Sequence, residues 1–306
     1  MLQLREIADG RRPVVWTLHD PWVTTGHCVH PLGCPRWQIG CGECPDLTIP
    51  LAIRRDTTGL NWRIKRWALK RARIHLVVAS KWMQQRLGKS PIVAHLPSTL
   101  IPFGVDRAMF RPREKGACRQ KLGMPAEARA VALRWTPWNL LKGTEYAVQA
   151  LEKLPSGLVT HIICFDSTSD MGLGSLRGKY EFVHLGWVDR EEAIATALIA
   201  ADVFIMPSLA ETFGMMAVEA MACGTPVVVF QSTSLSEVVD SPHAGLAVPY
   251  KDSGALANAI QTVLQESVLR QTLIDNGLKL VAREYTLERY LKRHLELYET
   301  LLSNKN

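Results

Sequence analysis

The chain has 306 residues, 47% hydrophobic and 21% charged, with a net charge of +7 at neutral pH. That balance excludes a disordered or fibrous chain and leaves room for two α/β domains of ordinary size. No apolar run reaches the roughly 18 residues that span a bilayer, and Met1–Pro13 lacks an apolar stretch behind a basic start, so a cytoplasmic protein is expected.

In chain order, Met1–Ile7 reads as a helix and Val14–Leu18 as the first strand, ending at His19-Asp20. Cys28, Cys34, Cys41 and Cys44 then cluster in the stretch CVHPLGCPRWQIGCGEC, with His27 and His30 beside them. From Arg54 to Arg73 there are eight basic residues and one acid, Asp56. Such a run is either a solvated helix face or a surface for an anionic membrane or a phosphate-bearing substrate. Within it, Leu60, Ile64, Trp67 and Ala68 recur at helical spacing, which puts Arg63, Lys65 and Arg66 towards lipid headgroups. No nucleic-acid-binding module is recognisable. Helix Asn61–Arg73, strand His75–Ala79 and helix Lys81–Leu87 complete the first half. Ile101–Pro112, with two prolines and Gly104, reads as a linker, and the break is expected near Phe110–Glu114.

Beyond it the strand–helix alternation restarts. Strands are expected over Ala130–Arg134, Thr160–Cys164, Glu181–His184, Val203–Pro207 and Thr225–Val229. Helices are expected over Glu114–Leu122, Thr144–Leu154, Glu191–Ala201, Met216–Ala222, Ser253–Gln265 and Leu287–Leu302. Strands that do not alternate apolar and polar residues are buried on both faces, which indicates parallel sheets covered by helices. The last helix carries Leu287, Tyr290, Leu291, Leu295, Tyr298, Leu301 and Leu302 on one face and is expected to pack back across the junction. The fold class is therefore α/β with two Rossmann-like domains. Residues 1–112 form the first, with a cysteine-rich loop over 27–45. Residues 113–285 form the second, and 286–306 the returning helix.

Chemistry concentrates in PSLAETFGMMAVEAMACGTPVVV, residues 207–229. Glu211 lies on the approach to a helix and Glu219 one turn inside it. Gly214 lets the backbone come close at the helix start, and the amides of Gly214, Met215 and Met216 form an anion site suited to a diphosphate. A carboxylate accepts two sugar hydroxyls well, so Glu211 suits a hexose and Glu219 a ribose diol.

This segment resembles family 4 of the retaining glycosyltransferases of GT-B fold, and the resemblance runs over nearly the whole chain. It implies that Arg134 and Lys142 hold the donor diphosphate, although the spacing between them is longer than usual in the family. The alternative for Arg134 is a strand-end salt bridge. Phe213 belongs to the same helix-start motif. Gly186, Trp187 and Val188 resemble the loop beside the donor base, or form a plain turn. Glu237 resembles a family glutamate, or caps a helix. His19 takes the place of a family histidine that touches the reacting sugar or acceptor, or else braces its loop.

The resemblance further implies transfer of a hexose from a nucleoside diphosphate sugar to a glycan or lipid-linked acceptor in cell-envelope polysaccharide or glycolipid assembly, with no cofactor required for catalysis. It also implies a first domain without its opening strands and Gly-rich turn, so that a non-catalytic nucleotide-sugar-binding fragment is the rival reading and a sugar-nucleotide epimerase a third. The four clustered cysteines remain open between a structural zinc site, free thiols and disulfides.

Overall fold

The computed structural model describes residues 12–49, 52–167 and 174–303. The helix expected over Met1–Ile7 lies outside them. The chain divides into two compact units, Met1–Pro102 with Tyr290–Asn306, and Phe103–Arg289. The break falls at Pro102, ahead of the Phe110–Glu114 stretch expected to carry it. The reason is local. The Val105 amide donates to the Tyr285 carbonyl at 2.9 Å, and the Leu287 amide to Val105 at 3.2 Å. A Cβ on Gly104 would stand 2.4 Å from the Thr286 carbonyl oxygen, so this stretch is stitched to the second unit.

In the first unit, β1 (Val14–Leu18), β2 (Ile74–Val78) and β3 (Ser98–Leu100) form a parallel sheet in the order β1-β2-β3. Helices α1 (Thr58–Leu69) and α2 (Lys81–Gly88) cover it. Trp62, Leu69, Met83 and Leu87 pack with Leu18, Leu76 and Val78. Val77 and Ile101 pack with Leu297 of the helix Leu287–Ser303, together with Tyr290 and Leu301. The single apolar face expected for that last helix is in fact two. Leu291, Leu295, Tyr298 and Leu302 stay exposed while Tyr290, Leu297 and Leu301 turn inward.

The second unit runs α3 (Lys115–Lys121), β4 (Ala130–Arg134), α4 (Thr144–Lys153), β5 (His161–Phe165), β6 (Glu181–His184), α5 (Glu191–Ala200), β7 (Val203–Met206), α6 (Met215–Ala222), β8 (Val227–Phe230), α7 (Leu235–Val238), β9 (Leu246–Val248), α8 (Ser253–Gln265) and α9 (Ser267–Glu284). The helix Leu287–Ser303 is α10. All six strands pair in parallel, in the order β6-β5-β4-β7-β8-β9. One face buries Val131, Leu133, Ile162, Val203, Ile205 and Val228 under Ala147, Leu151, Leu256 and Ile260 of α4 and α8. Alternate residues point the other way, where α5 contacts β4, and α6 contacts β7 and β8.

That strand order has a direct consequence for ligands. The chain moves outward from β4 through β5 to β6, then returns to the far side of β4 with β7. The order thus reverses between β4 and β7, and the loops leaving their carboxyl ends part to form the crevice where open α/β sheets bind ligands.

Candidate active site

The loop after β4 is shaped by its own residues. The Asn139 side chain accepts from the Leu141 amide at 3.1 Å and caps a short 3-10 turn over Leu140–Lys142. Gly143 ends the turn at φ 67° and opens α4. The loop after β7 lies directly against it, with the Leu209 amide donating to the Leu141 carbonyl at 2.8 Å. A third loop, after β8, supports the second: Thr233 Oγ1 accepts from the Glu211 amide at 2.8 Å, and Ser234 Oγ donates to the Glu211 carbonyl at 3.0 Å.

These contacts bring Lys142 and Glu211 together. Lys142 Nζ stands 2.6 Å from Glu211 Oε1, both side chains largely shielded from solvent. At the end of β4, Arg134 Nε lies 2.5 Å from Asp166 Oδ2. The strand-end salt bridge is therefore present, with a partner that sequence reading did not single out. Three residues after Glu211, Gly214 takes φ 97° as the N-cap of α6 and offers no side-chain acceptor to the first-turn amides. A Cβ there would meet Leu235 Cδ2 at 2.6 Å. Lys142 and an uncapped helix start thus stand beside Glu211 at the switch point, with Arg134 at the end of β4, an arrangement that can hold an anion and orient a hydroxyl-bearing group beside it.

Residues 136–266 match the family described as glycosyl transferases group 1. This stretch thus resembles a group 1 glycosyltransferase domain. Among curated proteins, it is similar to the D-inositol 3-phosphate glycosyltransferase of Mycobacteroides abscessus, 34% identical over 176 residues, which covers 54% of this chain and 38% of that protein. The corresponding protein of Mycobacterium tuberculosis strain H37Ra is 36% identical over 173 residues, covering 53% and 35%. The chain thus spans little more than a third of the length of these relatives. Among solved structures, sucrose-phosphate synthase from Thermosynechococcus elongatus aligns at 27% identity and TM-score 0.76, over 99% of this chain and 70% of that one. Anabaena Alr3699/HepE, solved with UDP and glucose, aligns at 21% identity and TM-score 0.70, over 94% and 72%, a likeness of fold.

Within the matched residues Glu219 sits one turn into α6. Burial, and then the nearby Glu191, push its carboxyl up to about 7, while Arg134 opposes the shift. Arg134 thus acts on Glu219 through its charge while its Nε bonds Asp166. Met215 and Met216 open α6 and are partly buried. Phe213 turns its ring inward, edge-on to Phe103 at 5.3 Å and Tyr285 at 5.4 Å, so only its backbone is left for a ligand. Gly186, at φ 63°, ties the ends of β5 and β6 together: its carbonyl accepts from the Asp166 amide at 2.9 Å and its amide donates to Ser167 at 2.8 Å. Trp187 beside it is exposed and Val188 partly so. Glu237 lies in the short helix α7.

The remaining candidates belong to the first unit. His19 is exposed at the carboxyl end of β1. Cys28, Cys34, Cys41 and Cys44 are unbridged and line one cavity. Lys65, expected to face lipid with Arg63 and Arg66, is instead buried. Its Nζ donates to the carbonyls of Trp22 at 2.6 Å and Thr25 at 2.8 Å, and burial lowers its pKa to about 7. Thr233, Ser234 and Asp166 were missed. The run Ser232-Thr233-Ser234 after a buried strand was the available signal, since carboxyl ends face the crevice. A lone aspartate after β5 gave none.

Proposed function

We propose that this chain is a retaining glycosyltransferase that moves a hexose from a nucleoside diphosphate sugar to an acceptor hydroxyl in glycan or glycolipid assembly. The observation that carries this reading is the Lys142–Glu211 pair at the switch point, beside the start of α6. Lys142, Arg134 and the first amides of α6 would take the diphosphate and stabilise its charge as it leaves. Glu211 would hold hexose hydroxyls and Glu219 the ribose diol. The bond from the anomeric carbon to phosphate oxygen breaks as the acceptor oxygen bonds on the same face, and the acceptor proton passes to the departing phosphate. No side chain is assigned a covalent role, and no bound cofactor is required by this scheme. His19 would act on the acceptor side. The fold shared with Anabaena HepE, solved with UDP and glucose, favours a nucleotide-sugar donor.

The test is titration calorimetry with UDP-, GDP- and ADP-sugars, followed by transfer assays. One donor class is expected to bind and turn over. Binding without turnover would favour the non-catalytic reading, epimerised donor an epimerase, and no binding by any of the three would overturn the proposal. Affinity carries a pH signature too. Glu219 can accept the diol fully only when ionised, so donor affinity should fall about tenfold from pH 8 to pH 6, a decline absent in Glu219→Gln. Stability moves oppositely. The folded protein holds this proton between about pH 4.5 and pH 7 where the unfolded chain does not, so the stabilisation present below 4.5 is lost as pH rises through 7. Glu219→Gln should therefore be more stable than the parent at about pH 8.

We also propose that α1 docks on an anionic membrane, where a lipid-linked acceptor would be found. No helix among the described residues is long and apolar enough to cross a membrane. Leu60, Ile64 and Trp67 are nevertheless exposed along one side of α1, and Arg63, Arg66 and Lys70 line a cavity of about 510 Å³ with His95. Binding to vesicles with anionic lipid is expected to be salt-sensitive, and weakened at least tenfold in Arg63→Glu/Arg66→Glu. Equal partitioning onto neutral and anionic vesicles would count against it.

A further inference from the structure

The four clustered cysteines sit beside an electrostatic imbalance. Lys65 is 3% exposed and Arg86 8%. Lys65 meets two carbonyls and the Trp22 ring, 3.3 Å below its Nζ. Arg86 lies 3.8 Å over the Trp37 ring, and its Nε donates to Thr24 Oγ1 at 3.1 Å. Its Nη2 is buried with no hydrogen-bond partner. Neither cation meets a carboxylate among the described residues. Buried charges are normally paired, because carbonyls and rings only partly replace the water that was lost.

The cysteine sulfurs are among the nearest groups, with the Asp20 carboxylate also acting on Lys65. Lys65 is electrostatically coupled to Cys41 and Cys28, and Arg86 to Cys28, Cys41 and Cys34. As thiols they supply none. Thiols that bind a metal ion together give up their protons to do so.

We propose that Cys28, Cys34, Cys41 and Cys44 bind one structural Zn²⁺ as a tetrathiolate, whose double negative charge neutralises the buried Lys65 and Arg86. Each thiol gives up its proton on binding, so four protons leave per ion. The four cysteines line one small cavity of about 20 Å³. Cys41 and Cys44 bracket a tight knuckle in which Cys41, Gly42 and Glu43 all take positive φ, at 55°, 81° and 45°. The knuckle is pinned from outside: the Gly42 amide donates to Thr58 Oγ1 at 2.9 Å and the Cys44 amide to Asp56 Oδ2 at 2.7 Å. The Gly26 amide donates to Cys41 Sγ at 3.3 Å, a contact that favours thiolate. Among the described residues no three His, Cys, Asp or Glu side chains already stand grouped as a metal site. Binding therefore requires the thiols to rotate inward within this pinned frame. Soft sulfur donors in a set of four select zinc among the common divalent ions.

The experiment is metal analysis of the whole chain purified under reducing conditions without chelator. About one zinc per chain is expected, with thiolate-to-metal charge-transfer absorption after cobalt replacement. Cys41→Ser and Cys44→Ser should lose the ion. Lys65→Met/Arg86→Met, which leaves every ligand in place, should bind zinc at least tenfold more weakly. If the serine variants fail to fold, chelator treatment of the unaltered protein replaces them, and four further thiols should become reactive as zinc leaves. Absence of metal with all the thiols free, iron in place of zinc, disulfides among the four cysteines, or unchanged zinc affinity in the Lys65/Arg86 variant would each overturn the proposal.

Discussion

Glu211→Gln is expected to lower kcat/KM for transfer by about 30- to 1000-fold in a protein that remains folded. Glutamine keeps the shape but carries no charge for Lys142, whose Nζ stands 2.6 Å from Glu211 Oε1. It also accepts hydroxyls through one oxygen where the carboxylate has two. A charged hydrogen-bonding group lost from a substrate site costs roughly 2–4 kcal/mol, which gives that range at one decade per 1.4 kcal/mol. The backbone on either side is held independently by Thr233 and Ser234, so the loop should keep its place. Kinetics on the variant, with circular dichroism as the folding control, decide the matter. Near-normal turnover by a folded protein would remove Glu211 from the site.

Gly143→Ala is expected to destabilise the second unit by about 3–5 kcal/mol. The residue lies at φ 67°, and an added Cβ would sit 1.9 Å from the carbonyl oxygen of Pro207. Neither atom is the end of a flexible side chain, so the loops after β4 and β7 would have to separate. Lys142 and Glu211 would then part. Gly157 provides the control, since it has φ 77° and nothing within 4 Å of the would-be Cβ. There an alanine meets only the backbone preference, about 1 kcal/mol. Urea unfolding of both variants separates the effects, and equal losses would show that the contact with Pro207 does not matter.

The parallel sheet was legible because its strands are short, buried and β-branched, with helices of ordinary length between them. β3 and β9 were not, at three residues each, and α9 has too few buried positions to stand out. At the site, Glu211 and Gly214 were visible through their motif. Asp166 was invisible because its place beside Arg134 depends on pairing β4 with β5, which no local pattern specifies. Lys65 shows the same limit. α1 buries Thr58, Trp62, Lys65, Ala68 and Leu69 and leaves Trp67 outside. Periodicity located the helix, but the carbonyls of Trp22 and Thr25 decided which basic residue turned inward.

The Lys142–Glu211 contact joins residues 69 positions apart. It depends on β7 pairing beside β4, which in a parallel sheet cannot begin from a hairpin and must wait until the intervening chain has closed its crossovers. A growing chain that has reached β6 already carries Arg134, Asp166 and Lys142, with Glu211 still to come. The crevice therefore cannot form until β7 has joined β4, and a nascent chain cannot hold a donor before that pairing is made.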